Sequence, residues 1–122
     1  MWVIGGLIST FMAYFLNKFI VNKYGDKAII YGVPFAEESS KTIIGYFSGS
    51  IIGVHAVFGI TEALNDFFSA SKRVNFRAAM LSIMSHVVFG LMTYYITTYI
   101  NIYVAVIFAS FIHGYWNRIM LR

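Results

Sequence analysis

The sequence contains no cysteine. That removes disulfide staples, thiolate nucleophiles and Cys-ligated zinc together, and leaves the redox compartment open. Charge is scarce as well, at 11% of residues against 59% hydrophobic, a balance too apolar for a water-soluble domain and typical of a lipid-solvated chain. Proline occurs once, so little breaks the apolar runs, which are long enough to cross a bilayer as helices. The opening Met1-Trp2-Val3-Ile4-Gly5-Gly6 lacks the basic segment of a signal peptide, and no small-residue cleavage site precedes Lys18, so the first run reads as a retained span. A net charge of +4 could point to nucleic acid, yet the basic residues sit in short clusters between apolar runs and form no continuous basic face. Nucleic acid is therefore not an expected partner.

What is present predicts a single all-α domain, residues 1–122, folded as a polytopic membrane helix bundle. Candidate spans cover residues 2–21, 28–46, 50–69, 78–99 and 102–121, each about 18–22 residues and close to the crossing length. Lys18, Lys23 and Lys27 follow the first span, Lys72, Arg73 and Arg77 the third, and Arg118 and Arg122 the fifth. The connections around Tyr46-Phe47-Ser48-Gly49 and Tyr99-Ile100-Asn101 carry no charge. Alternate basic loops under the positive-inside bias predict the N-terminus outside and the C-terminus inside. Gly45, Gly49 and Gly53, spaced four apart, suit close helix approach, with a hinge as the alternative.

Ionisable residues inside these spans are the exception that needs a reason. Each of Glu37, Glu38 and Lys41 costs about 3 kcal/mol at a helix centre, and function is the usual ground for tolerating it. Counted from the basic ends at ~1.5 Å per residue, Glu37, Glu62, His86 and His113 each lie about eight to ten residues in, on four different helices, so all four can meet at one site. Helical spacing adds neighbours: Lys41 shares a face with Glu37, which predicts a Glu37–Lys41 pair with Glu38 directed elsewhere. Asn117 lies one turn past His113, where an amide can donate to an oxyanion, and Phe58 lies one turn before Glu62 as a wall. Plainer readings compete. They are the solvated end of a re-entrant second helix for Glu37-Glu38-Lys41, a wet helix terminus for Glu62, and core histidines bonded to carbonyls for His86 and His113. His55 lies nearer the outer end and reads as structural, outside the site.

In chain order, Glu37-Glu38-Ser39-Ser40-Lys41, Phe58-Gly59-Ile60-Thr61-Glu62, His86 and His113-Gly114-Tyr115-Trp116-Asn117 resemble the motifs of PrsW-type membrane proteases. That family belongs with the CAAX prenyl endopeptidases and bacteriocin-processing enzymes, whose motifs read EExxK or EExxxR, FxxxE or FxxxH, and HxxxN or HxxxD. The resemblance covers the core 34–117, with one further span before it. It implies an intramembrane endopeptidase of a prokaryotic cytoplasmic membrane, surrounded by lipids and acting on membrane-protein or peptide substrates. By position, it implies Glu37 as the general base for water, Glu38 as a second carboxylate and Glu62 as the family's acid. His86 and His113 would hold the water, a metal or the substrate carbonyl, and Asn117 would support the oxyanion. Two histidines and three glutamates suit both Zn²⁺ and metal-free carboxylate chemistry, with Glu62, His86 and His113 as the ligands in the first case. Two rival classes use the same residues differently. An ion or proton transport component needs relay groups staggered in depth. A non-catalytic subunit, or a homo-oligomer, would pack through exposed aromatics and the Gly45-Gly49-Gly53 positions.

Overall fold

Turn chemistry sets where each helix begins and stops. A computed structural model describes residues 1–69 and 75–120, and these form α1 (Trp2–Tyr24), a 3₁₀ turn (Asp26–Ile29), α2 (Gly32–Ser48), α3 (Ile51–Ser69), α4 (Asn75–Tyr99) and α5 (Ile102–Met120). There is no strand among the described residues. Lys72, Arg73 and Arg122 of the predicted basic ends, and Leu121 of the predicted fifth span, lie outside them. Pro34, the single proline, sits in the first turn of α2, where an N–H would have no intrahelical partner anyway. Gly49 ends α2 in the left-handed conformation (φ 90°, ψ 4°), and the Ser50 N–H bonds back to the Gly45 carbonyl at 2.9 Å. Ser50 Oγ then accepts the Gly53 N–H, and Asn101 Oδ1 accepts the Val104 N–H, each at 2.9 Å, capping α3 and α5. Both uncharged connections are thus tight turns between antiparallel helices.

The predicted second span starts too early. Ala28 and Ile29 belong to the 3₁₀ turn, and α2 begins at Gly32, leaving 17 residues or roughly 25 Å of helix. Three helices, α1, α3 and α4, are long and apolar enough to cross a membrane. Their packing suits lipid. On α1 the buried residues are Gly5, Gly6, Ser9 and Ala13, whereas Phe11, Phe15 and Phe19 are 66%, 54% and 62% exposed. Small side chains inside and large apolar ones outside invert the pattern of a water-soluble helix, and let helix backbones approach closely.

The helices close into a ring in which α1 packs on α2, α2 on α5, α5 on α4, α4 on α3 and α3 on α1, with α2 also touching α3 across the middle. Close approach at glycines sets this arrangement. A Cβ on Gly45 would strike the Ile51 backbone, and one on Gly53 the Trp2 ring, so those two serve packing while Gly49 serves the turn. At Gly59 a Cβ would meet the His86 side chain, which is how α4 brings an imidazole against α3. At Gly114 it would overlap the Ile30 carbonyl oxygen, a backbone atom with no room to retreat. Gly114→Ala is therefore expected to destabilise the protein by about 1–3 kcal/mol through overpacking, in spite of the ~1 kcal/mol that favours Ala in a helix. Thermal unfolding in detergent micelles reads this as a lowered midpoint; an unchanged or raised midpoint contradicts it.

Candidate functional site

All five helices deliver a polar side chain to the middle of the ring. From α2 come Glu37, Glu38 and Lys41, with relative exposures of 5%, 0% and 0%. An ammonium buried that completely needs an anion and further hydrogen-bond acceptors around it. Lys41 Nζ lies 2.6 Å from Glu38 Oε1 and 3.3 Å from His86 Nδ1, and stands over the Phe58 ring at 4.4 Å. The expected Glu37–Lys41 pair is the weaker one, at 3.9 Å, so the pairing is corrected to Glu38. Spacing could not separate them, because i,i+3 and i,i+4 both share a face.

Glu38 is saturated. Its Oε1 also accepts from His113 Nδ1 at 2.8 Å, and its Oε2 from His55 Nε2 at 3.1 Å. His55 is fully buried, and its Nδ1 lies 2.9 Å from the Ile51 carbonyl oxygen. This overturns the placement of His55 outside the site. Depth counted in residues follows the backbone, whereas glutamate and histidine side chains reach several ångströms beyond it. A Cβ on Gly90 would strike His55, so the missing side chain on α4 gives that imidazole its seat.

The remaining residues complete one connected network. Glu62 of α3 bonds through Oε2 to His86 Nε2, and Ser82 Oγ approaches the same oxygen at 3.4 Å. With Nε2 donating to a carboxylate, His86 Nδ1 is free to accept from Lys41. The His86 and His113 rings lie 5.7 Å apart edge to face, walled by Phe58 at 5.3 Å from His86 and Phe89 at 5.3 Å from His113. Glu37, Glu62, His86 and His113 are thus brought together, and Phe58 is a wall as expected. Asn117 lines the adjoining cavity, with Nδ2 donating to the Ile29 carbonyl at 3.1 Å, so one of its two N–H groups ties α5 to the 3₁₀ turn.

Glu37 differs from its neighbour. Its Oε1 accepts from Asn17 Nδ2 of α1 at 2.6 Å, while Oε2 is buried with no hydrogen-bond partner, 3.8 Å from His113 Nε2 and 3.9 Å from Lys41 Nζ. Two cavities reach this carboxylate. One, about 390 Å³, lies at the end of the bundle carrying Ile29, Ala78 and Met120. The other, about 560 Å³, opens sideways between α1 and α3. Asn17, Glu37 and Glu62 line both. The larger apolar groove between α2 and α5, about 720 Å³, contains no acid, histidine or basic side chain.

Glu62, His86 and His113 do not form a metal centre. His86 Nε2 is spent on Glu62, His113 Nδ1 is spent on Glu38, and an ammonium occupies the middle of the cluster. Among the described residues no three His, Asp or Glu side chains are disposed to hold a metal ion. The donor set fits an ion-paired carboxylate site better than a Zn²⁺ shell. Comparison with known proteins adds nothing further, since no family model, curated protein or solved structure matches the chain.

Proposed function

We propose that this chain is a membrane-embedded peptidase of the PrsW type, hydrolysing peptide bonds of membrane-associated substrates at a Glu/His site toward the cytoplasmic side. In this reading all five helices sit in a prokaryotic cytoplasmic membrane, with the N-terminus outside. The reading is carried by the contrast between two adjacent glutamates. Glu38 has committed both oxygens to Lys41, His113 and His55, whereas Glu37, which lines the cavity, keeps Oε2 buried without a hydrogen-bond partner beside His113 Nε2. In the neutral ring His113 donates through Nδ1 and offers Nε2 as an acceptor.

A water admitted beside these two atoms from the cavity donates one hydrogen to Glu37 Oε2 and the other to His113 Nε2, turning a lone pair toward a scissile carbonyl. Glu37 takes the proton as the water oxygen bonds to the carbonyl carbon. The resulting tetrahedral oxyanion meets the second Asn117 N–H, the one not spent on Ile29. As the C–N bond breaks, the proton held by Glu37 passes to the leaving amine. Purified protein in liposomes with membrane-anchored peptide substrates tests this: wild type cleaves and Glu37→Gln does not. Equal cleavage by the two overturns the assignment.

Proton transport is the second reading, and His55 favours it by extending the network seven residues along α3 from Glu62, roughly 10 Å in depth. The buried Lys41 ammonium in the middle of that path opposes cation passage. Proteoliposomes under a pH gradient are expected to show no flux above protein-free vesicles; a flux lost in His55→Leu supports transport instead.

A further inference from the structure

Asn17 stands on α1, outside the motif-bearing core, and reaches Glu37 across 20 positions of sequence with a short bond of 2.6 Å from an amide N–H to a carboxylate oxygen. Among the described residues it is the side chain that hydrogen-bonds the Glu37 carboxylate, at Oε1, while Oε2 has no such partner. The terminal torsion of a glutamate is broad and nearly two-fold, so its two oxygens exchange unless one is held. The amide orientation follows from the same chemistry: turned the other way, Oδ1 would oppose a carboxylate oxygen. As oriented, Asn17 Oδ1 is buried without a partner, so nothing else competes for the side chain. Its backbone is well anchored one and two turns earlier. Thr10 Oγ1 meets Thr61 Oγ1 at 3.2 Å, Ser9 Oγ meets Ser40 Oγ at 3.3 Å, and Ala13 is buried.

We infer that Asn17 is a positioning residue: by pinning Glu37 Oε1 it presents Oε2 to His113 Nε2 and so selects the oxygen that receives the proton from water. The inference rests on the hydrolytic reading of the site, and it gives α1 a part in the chemistry that the motifs alone leave to the other four helices. Asn17→Leu removes the donor at nearly constant volume, and Asn17→Gln keeps an amide on a longer arm. Against a cleaved substrate, Asn17→Leu should lower kcat about ten- to a hundredfold with KM unchanged, the worth of one hydrogen bond to a charged group. Asn17→Gln should recover part of the loss.

A second measurement needs no substrate. A lipid-soluble carbodiimide couples to protonated carboxyl groups, and an amide donor favours the carboxylate form that it does not attack. At one fixed pH, labelling of Glu37 read by peptide mass spectrometry should rise several-fold in Asn17→Leu and fall back in Asn17→Gln, with Glu62 as internal reference. If Glu37→Gln is inactive while Asn17→Leu keeps wild-type kcat and labelling, the role of Asn17 is overturned and hydrolysis stands. A fall in kcat matched by an equal fall in folded protein also overturns it, as a merely structural effect. If Glu37→Gln cleaves like wild type, hydrolysis itself fails, and the inference with it, whatever the labelling shows.

Discussion

Glu38→Leu is expected to cost about 3–5 kcal/mol, a large share of a small protein's stability, because it strips the nearer anion from a completely buried lysine and leaves only Glu37 at 3.9 Å. Three donors converge on Glu38: Lys41 Nζ at 2.6 Å, His113 Nδ1 at 2.8 Å and His55 Nε2 at 3.1 Å. None can turn to water, since all three residues are under 5% exposed. Removing one member of a buried pair leaves an uncompensated charge, whereas removing both leaves a void that apolar atoms can fill. Glu38→Leu combined with Lys41→Met is thus expected to be milder than Glu38→Leu alone, a non-additivity that only direct coupling produces. Thermal or chemical unfolding in micelles measures both, and a double variant as unstable as the sum of the singles contradicts the pairing.

Glu37→Gln is expected to do the reverse, keeping the fold and removing cleavage. The amide is the same size, and Asn17 Nδ2 still finds the carbonyl oxygen of glutamine as an acceptor. What disappears is the basic Oε2, replaced by an NH₂ that accepts no proton. Loss of a positioned general base typically costs about 10²–10⁴ in kcat. The neighbouring glutamates are therefore separable by experiment, one through stability and the other through turnover. A Glu37→Gln protein that unfolds as readily as Glu38→Leu would mean that both carboxylates are structural.

The division between legible and hidden features follows particular residues. Glu37, Glu62, His86 and His113 were recoverable because ionisable groups are rare in apolar helices, and a residue count from the basic loops ranks their depth. Asn17 gave a weaker signal: it continues the inward-facing positions of Gly6, Ser9 and Ala13 at helical spacing, yet beside Lys18 it reads as the margin of a loop. His55 was misplaced because depth ranks backbones and not side-chain reach.

By itself, then, the sequence determined the all-helical class, the uncharged connections around Gly49 and Asn101, the apolar exterior, and which ionisable residues had to be withdrawn from it. These are one-dimensional properties of composition, periodicity and local turn chemistry. Only the tertiary structure decided that Lys41 belongs to Glu38, that His55 joins the network, and that Glu37 keeps one oxygen unpaired while Asn17 holds the other. Those outcomes depend on how five helices rotate and close against glycines such as Gly59, Gly90 and Gly114, and differences of an ångström between i+3 and i+4 partners lie below what spacing along a chain can resolve.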